Sequence, residues 1–142
     1  IQENIQLHKM QNPAIRFDVA VVQDVAFVND AFRTTVIFDN LISNALKYQK
    51  PEEKNQKICI DVRVTTEHAT INVEDNGIGI SEKDLTNIFT MFFRSTSNST
   101  GLGIGLFIVQ EAVSKLHGTI SVQSDLGKGT KFTLVVPNKS VA

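Results

Sequence analysis

The sequence predicts an α/β two-layer sandwich, a mixed sheet of about five strands covered on one face by three helices. Three observations predict it. Short runs carry apolar residues at a period of two, longer runs carry them at a helical period, and the element order contains no dominating strand–helix–strand repeat. The chain has 142 residues, of which 42% are hydrophobic and 20% charged. Such a chain suits one domain and removes about two-thirds of its extended-state surface from water on folding. That suffices for a core without metals or disulfides, and it excludes fibrous and generally disordered classes.

The elements follow in order. Residues 1–14 carry no strong period, Asn12-Pro13 reads as a turn, and the stretch is expected to be a linker or edge segment. Ile15, Phe17, Val19 and Val21 alternate as a first strand. A helix runs roughly from Ala31 to Tyr48, with Asp30 as its N-cap. The polar run Gln49 to Lys57 is a solvated loop. Ile58, Ile60, Val62 and Val64, then Ala69, Ile71 and Val73, form a hairpin whose apolar face packs onto helices. Ser81 caps a short helix, and Ser95 to Thr100 is a polar, mobile loop that moves as a ligand enters. Leu106, Val109, Val113 and Leu116 recur at helical spacing between Gly103 and His117, and Gly118 stops that helix by permitting left-handed geometry. Ile120 to Ser124 and Thr130 to Val136 are the last two strands, joined at Gly127-Lys128-Gly129. The domain is expected over 15–137, with 138–142 as a tail.

Three strings can carry chemistry. Asn40, Asn44, Lys47 and Tyr48 share one face of the long helix, either as a solvent-facing stripe or as the floor of a site. In the second case carboxamide oxygens suit a hard cation with phosphate, and Lys47 suits phosphate as a point charge. Asp75-Asn76-Gly77-Ile78-Gly79 is either a plain turn or a carboxylate set to accept from an exocyclic base amine, with glycines leaving room for a ligand. Gly101-Leu102-Gly103-Ile104-Gly105-Leu106 opens the later helix, as a flexible start or as backbone amides converging on phosphate. It is neither a P-loop nor a dinucleotide-fold turn. Between them lies Ile88 to Arg94, in which Phe89 and Phe92 read as core and Phe93 and Arg94 as parts of a lid.

The remaining residues exclude more than they assert. A formal charge of −1 gives no broad attraction to nucleic acid or anionic lipid. Cys59 is single, so no internal disulfide or Cys-based zinc cluster forms, and it reads as an inert thiol. His8, His68 and His117 make no metal-ligand pattern, and His117 reads as capping or packing. No apolar run approaches the ~20 residues of a membrane span. The start at Ile1 is expected to be a cut from a longer parent, this part being cytoplasmic even if the parent is membrane-bound.

In combination and order, these strings resemble the catalytic ATP-binding domain of sensor histidine kinases, within the GHKL ATPase/kinase family. Asp39 to Tyr48 is similar to the N-box, Asp75 to Gly79 to the first glycine box, and Ile88 to Arg94 to the phenylalanine box. Gly101 to Leu106 is similar to the later glycine box, and Gly127-Lys128-Gly129-Thr130 to the final turn. The resemblance spans about Ile15 to Pro137 and implies the Bergerat-type sandwich with ATP and Mg²⁺ as ligands. It implies that Asn44 coordinates Mg²⁺, Asn40 organises the phosphate side, Lys47 contacts phosphate and Tyr48 lines the nucleotide site. Asp75 would recognise the adenine amino group, with Thr130 alongside. Gly77, Gly79, Gly101, Gly103 and Gly105 would shape pocket and lid, and Ile80, Phe93, Arg94, Leu102 and Leu106 complete the nucleotide-binding set.

The family transfers the γ-phosphoryl group of ATP to a histidine on a dimeric helical hairpin. None of His8-Lys9, His68-Ala69 and His117-Gly118 has the acidic follower of that acceptor, so this chain alone is expected to bind ATP without phosphorylating itself. The implied partners are that hairpin of the same, homodimeric full-length protein and a downstream response regulator, with no nucleic acid and no membrane contact. Asn40 stands where ATP-hydrolysing branches carry Glu, and a carboxamide cannot deprotonate water. A protein side chain is thus the better acceptor. The alternatives are a GHKL serine kinase of the anti-sigma type and a non-catalytic nucleotide-responsive module.

Overall fold

Alternation in two neighbouring runs turns Ile58, Ile60, Val62 and Val64, with Ala69, Ile71 and Val73, to one side of a sheet, all of them buried. The computed structural model describes residues 2–94 and 103–139. Its elements are α1 (Gln2–Gln11), β1 (Arg16–Gln23), α2 (Ala31–Lys47), β2 (Lys57–Val64), β3 (His68–Asp75), α3 (Glu82–Leu85), α4 (Gly105–Lys115), β4 (Thr119–Asp125) and β5 (Gly129–Pro137). The sheet order is β1-β2-β3-β5-β4. β1 runs parallel to β2, and every other pair is antiparallel. This is the expected mixed five-stranded sheet under helices.

The core lies between the sheet and α2 and α4, which pack on each other. Phe38 and Ile42 of α2, Val109 of α4 and Leu134 of β5 are each 0% exposed. Burying each such side chain contributes about 1.5–3 kcal/mol. On the other side of the sheet Lys57, Asp61, Arg63 and Glu74 meet solvent.

α2 starts where expected. The Asp30 side chain accepts from the Arg33 amide at 3.0 Å and pairs with its guanidinium at 2.6 Å. That amide bond, with the guanidinium beside it, holds the Asp30 carboxyl below its ordinary value. The loop leading into α2 is clasped by buried Asn138, whose Oδ1 accepts from Val28 and whose Nδ2 donates to Ala26 and Thr65 carbonyls. The clasp ties the start of α2 to the end of β5.

The structure departs from expectation at three places. Residues in which no period is legible form α1, a fourth helix, and Ile5 enters the core at 3% exposure. β1 is an edge strand, so Val19 and Val22 stay 39% and 46% exposed and Phe17 is its buried anchor. At the end of α4 the left-handed residue is His117 (φ 61), not Gly118. The His117 and Gly118 amides donate to the Ser114 and Val113 carbonyls, a Schellman closure. Gly118 is needed for space, since a Cβ there would stand 2.5 Å from the Val135 carbonyl oxygen.

Candidate functional site

The polar stripe of α2 lines a cleft, with Asn40, Asn44 and Tyr48 half-buried and Ser43 and Lys47 exposed. Asn40, Ser43, Asn44, Lys47 and Tyr48 line one side of a cavity of about 290 Å³. The Asn40 side-chain amide donates to the Val36 carbonyl at 2.8 Å, which fixes the carboxamide and leaves its oxygen outward. That oxygen lies against the start of α4, 3.2 Å from where a Cβ on Gly105 would be. Lys47 Nζ sits 5.9 Å from the centre of the Tyr48 ring.

β3 delivers the second component. Asp75, at its end, lines the cavity yet is only 8% exposed. Burial pushes its carboxyl up to about 6, against the opposing pull of the Gly77 and Thr130 amides. Register sets Thr130 of β5 directly opposite Asp75, and Thr130 also lines the cavity. The loop after Asp75 is held very close to its neighbours. A Cβ on Gly77 would fall 2.2 Å from the Tyr48 carbonyl oxygen, and one on Gly79 (φ +73) 2.1 Å from that of Asp125. Gly79 and Ile80 reach the cavity wall, while Gly77 sits behind it against α2.

The third component is the start of α4. Gly103 adopts φ +72, and its carbonyl accepts from the Phe92 amide at 2.8 Å. Ile104 at the N-cap makes no side-chain cap hydrogen bond, and Ile104, Gly105 and Leu106 line the cavity. The amides and dipole of a helix start favour an anion at that spot. Ile80, Ile88, Phe93, Leu106 and Ile108 add apolar wall, and Arg94 adds a cation.

Of the residues singled out in the sequence, Asn40, Asn44, Lys47, Tyr48, Asp75, Gly79, Ile80, Phe93, Arg94, Gly103, Gly105, Leu106 and Thr130 therefore share one cavity. Gly101, Leu102 and the loop 95–100 lie outside the described residues. The phenylalanines divide differently from expectation. Phe89 does pack inward, edge-on to Phe132 at 6.4 Å, but Phe92 is 65% exposed with φ 66 because its amide turns back to Gly103. Burial pushes the Cys59 thiol up, in keeping with an inert side chain.

The cavity is also lined by Ser43, Ile88, Ile104 and Ile108, which sequence reading did not name as site residues, and Ser124 lies against the lining residue Thr130. Ser43 was legible as the three-residue step after Asn40 on the same helical face. Ile104 and Ile108 carry only the signal of ordinary core residues. Ser124 reaches the site through a strand register that no local pattern reveals: it pairs with Thr130 and accepts from the Ile80 amide at 2.7 Å.

Among the described residues no cluster of three or more His, Cys, Asp or Glu could hold a metal, and no helix is long and apolar enough to cross a membrane.

Residues 29–140 match the family described as histidine kinase-, DNA gyrase B-, and HSP90-like ATPase. The chain is 36% identical over 132 residues to the sensor protein RprX of Bacteroides fragilis, covering 89% of this chain and 25% of that protein. It is 36% identical over 154 residues to the sensor histidine kinase WalK of Bacillus subtilis, covering 97% of this chain and 25% of the relative. It thus spans a quarter of the length of each. In fold it is similar to the mycobacterial sensor histidine kinase MprB, with a TM-score of 0.83 at 24% identity, over 99% of this chain and 94% of the other. With the cleft's three components in hand, the match over most of the chain settles its membership: it belongs to the GHKL family of histidine kinase-, DNA gyrase B- and HSP90-like ATPases.

Proposed function

We propose that this chain binds Mg-ATP in the cleft and presents the γ-phosphoryl group to a histidine on a helical hairpin of the longer protein, which then passes it to a response regulator. The observation that carries the reading is the convergence of three chemically distinct groups on one cavity: the α2 carboxamides with Lys47, the buried Asp75 with Thr130, and the uncapped start of α4.

Each group has a task that its chemistry fits. Asp75, with its apolar surroundings, accepts a hydrogen bond from the amine edge of the base, where an analogue without the donor would strand the carboxylate. The α4 amides, Lys47 and Arg94 hold phosphate oxygens and offset their charge. The donor set fits Mg²⁺, since Asn40 turns a carboxamide oxygen towards α4 and Asn44 lies one helical turn on, on the same cavity wall. Asn44 is assigned as the metal ligand and Asn40 as its organiser on the phosphate side. Mg²⁺, when bound, neutralises charge on the phosphates. The chain supplies orientation and exclusion of water, and the acceptor imidazole supplies the nucleophile. Asn40 cannot act as a base towards water, which favours a protein acceptor over hydrolysis.

The test is incubation with γ-labelled ATP of this chain alone and of the longer protein containing the hairpin. Acid-labile, alkali-stable label is expected on the longer protein only, and Asn44→Ala should lower it at least tenfold. Acid-stable label would point to a serine kinase. Bound nucleotide with no label under any condition would point to a binding module.

A further inference from the structure

At the base end of the cleft three side chains stand in a row across three strands. Asp75 of β3 pairs with Thr130 of β5, and Thr130 pairs with Ser124 of β4. The Ser124 hydroxyl makes three contacts: it accepts from the Ile80 amide at 2.7 Å, donates to the Gly129 carbonyl at 2.8 Å, and lies 2.9 Å from Thr130 Oγ1.

A serine hydroxyl has one proton and two lone pairs. An amide can only donate and a carbonyl can only accept, so the first two contacts fix the serine proton on Gly129. The third can then be satisfied in one direction only: Thr130 donates its proton to Ser124. Thr130 is 7% exposed, and its Oγ1 is left with lone pairs alone to offer the cleft. Across from it the Asp75 carboxylate is also an acceptor, with Oδ1 taking the Gly77 amide at 2.8 Å.

We infer that Ser124 is a positioning residue that sets base specificity: by taking the Thr130 proton it keeps the base end of the cleft acceptor-only, so that a 6-aminopurine is selected over a 6-oxopurine. The inference rests on the nucleotide reading above and adds the residue that fixes the polarity of the rim. An amine brings two protons to two acceptors. An oxo group sets lone pairs against lone pairs, unless the Thr130 hydroxyl is free to turn and donate. Ser124 denies it that rotation. The same hydroxyl ties the loop after Asp75 to the sheet through Ile80, so the rim and its polarity are held by one group.

The experiment is calorimetric titration of this chain with Mg-ADP and Mg-inosine diphosphate, which differ at purine position 6, amine against oxo, and in the N1 proton that the oxo form carries. Wild type should prefer ADP. Ser124→Ala should lower that preference about tenfold, chiefly by improved binding of the inosine nucleotide, and Ser124→Thr, which keeps the hydroxyl, should restore it. On a Thr130→Val background, Ser124→Ala should leave the ratio unchanged, because its effect passes through the Thr130 hydroxyl. If Ser124→Ala does not fold, Ser124→Cys keeps the shape with a weak hydrogen-bonding group and should lower the ratio in the same direction. An unchanged ratio in a folded Ser124 variant, or an equal loss for both nucleotides, would overturn the inference while leaving the cleft a nucleotide site. So would a full effect persisting without the Thr130 hydroxyl. Wild type that binds neither nucleotide would overturn the nucleotide reading itself.

Discussion

Asp75 is placed against its own stability. Its carboxyl is pushed from 3.8 up to about 6, mainly by burial. Such a group binds its proton more tightly folded than unfolded. The stability its neutral form contributes is therefore present below pH 3.8 and lost as pH rises through about 6. A shift of that size corresponds to a cost on the order of 3 kcal/mol above pH 7. Asp75→Asn keeps the shape and removes the charge. Its thermal midpoint at pH 8 should exceed that of wild type by several degrees, and the two curves should converge near pH 4. The same variant should bind adenine nucleotide more weakly, the usual exchange of stability for function at a site. Midpoints measured from pH 4 to 8 check this; two parallel curves would contradict the assignment of the cost to Asp75.

At the scale of elements, the long amphipathic helices and the hairpins are legible because many residues repeat one period. α2 buries Ile37, Phe38, Leu41, Ile42 and Ala45 on one face, and the Asp30 cap marks where it begins. α1 is not legible, because among its core-facing positions only Ile5 is both apolar and fully buried. His8, further along α1, reaches α2 through a 3.0 Å contact with Asp39, which no local pattern announces. Gly118 misleads for a related reason. Glycine after a helix suggests the left-handed residue, but here the close approach of Val135 claims the glycine and His117 takes the positive φ. If α1 belongs to the cooperative core, Ile5→Ala should destabilise the chain by about 2–4 kcal/mol. Leu7→Ala, at a side chain 55% exposed, should stay within about 0.5 kcal/mol of wild type. Urea denaturation of both variants decides it, and equal small effects would make α1 an appendage.

For the whole molecule, the sheet order is what brings the site together. Alternation tells which face a residue takes but not which strand lies beside it, so the row Asp75–Thr130–Ser124 and the parallel pairing of β1 with β2 had to come from the fold. The three candidate strings were legible singly, each with an ordinary alternative as stripe, turn or helix start. The fold brings them together, since α2, the end of β3 and the start of α4 wall one cavity, and that convergence supports the site reading over the ordinary one. The central claim is that this cavity takes a single Mg-nucleotide. Titrating isotopically labelled protein with Mg-ADP and following backbone amide resonances tests it most directly. The account predicts that amides of Asn40 to Tyr48, Asp75 to Ile80, Gly103 to Leu106 and Thr130 shift together along one saturation curve that requires magnesium. Folded protein whose amides do not move, or whose shifts fall in one of these segments and spare the others, would contradict it.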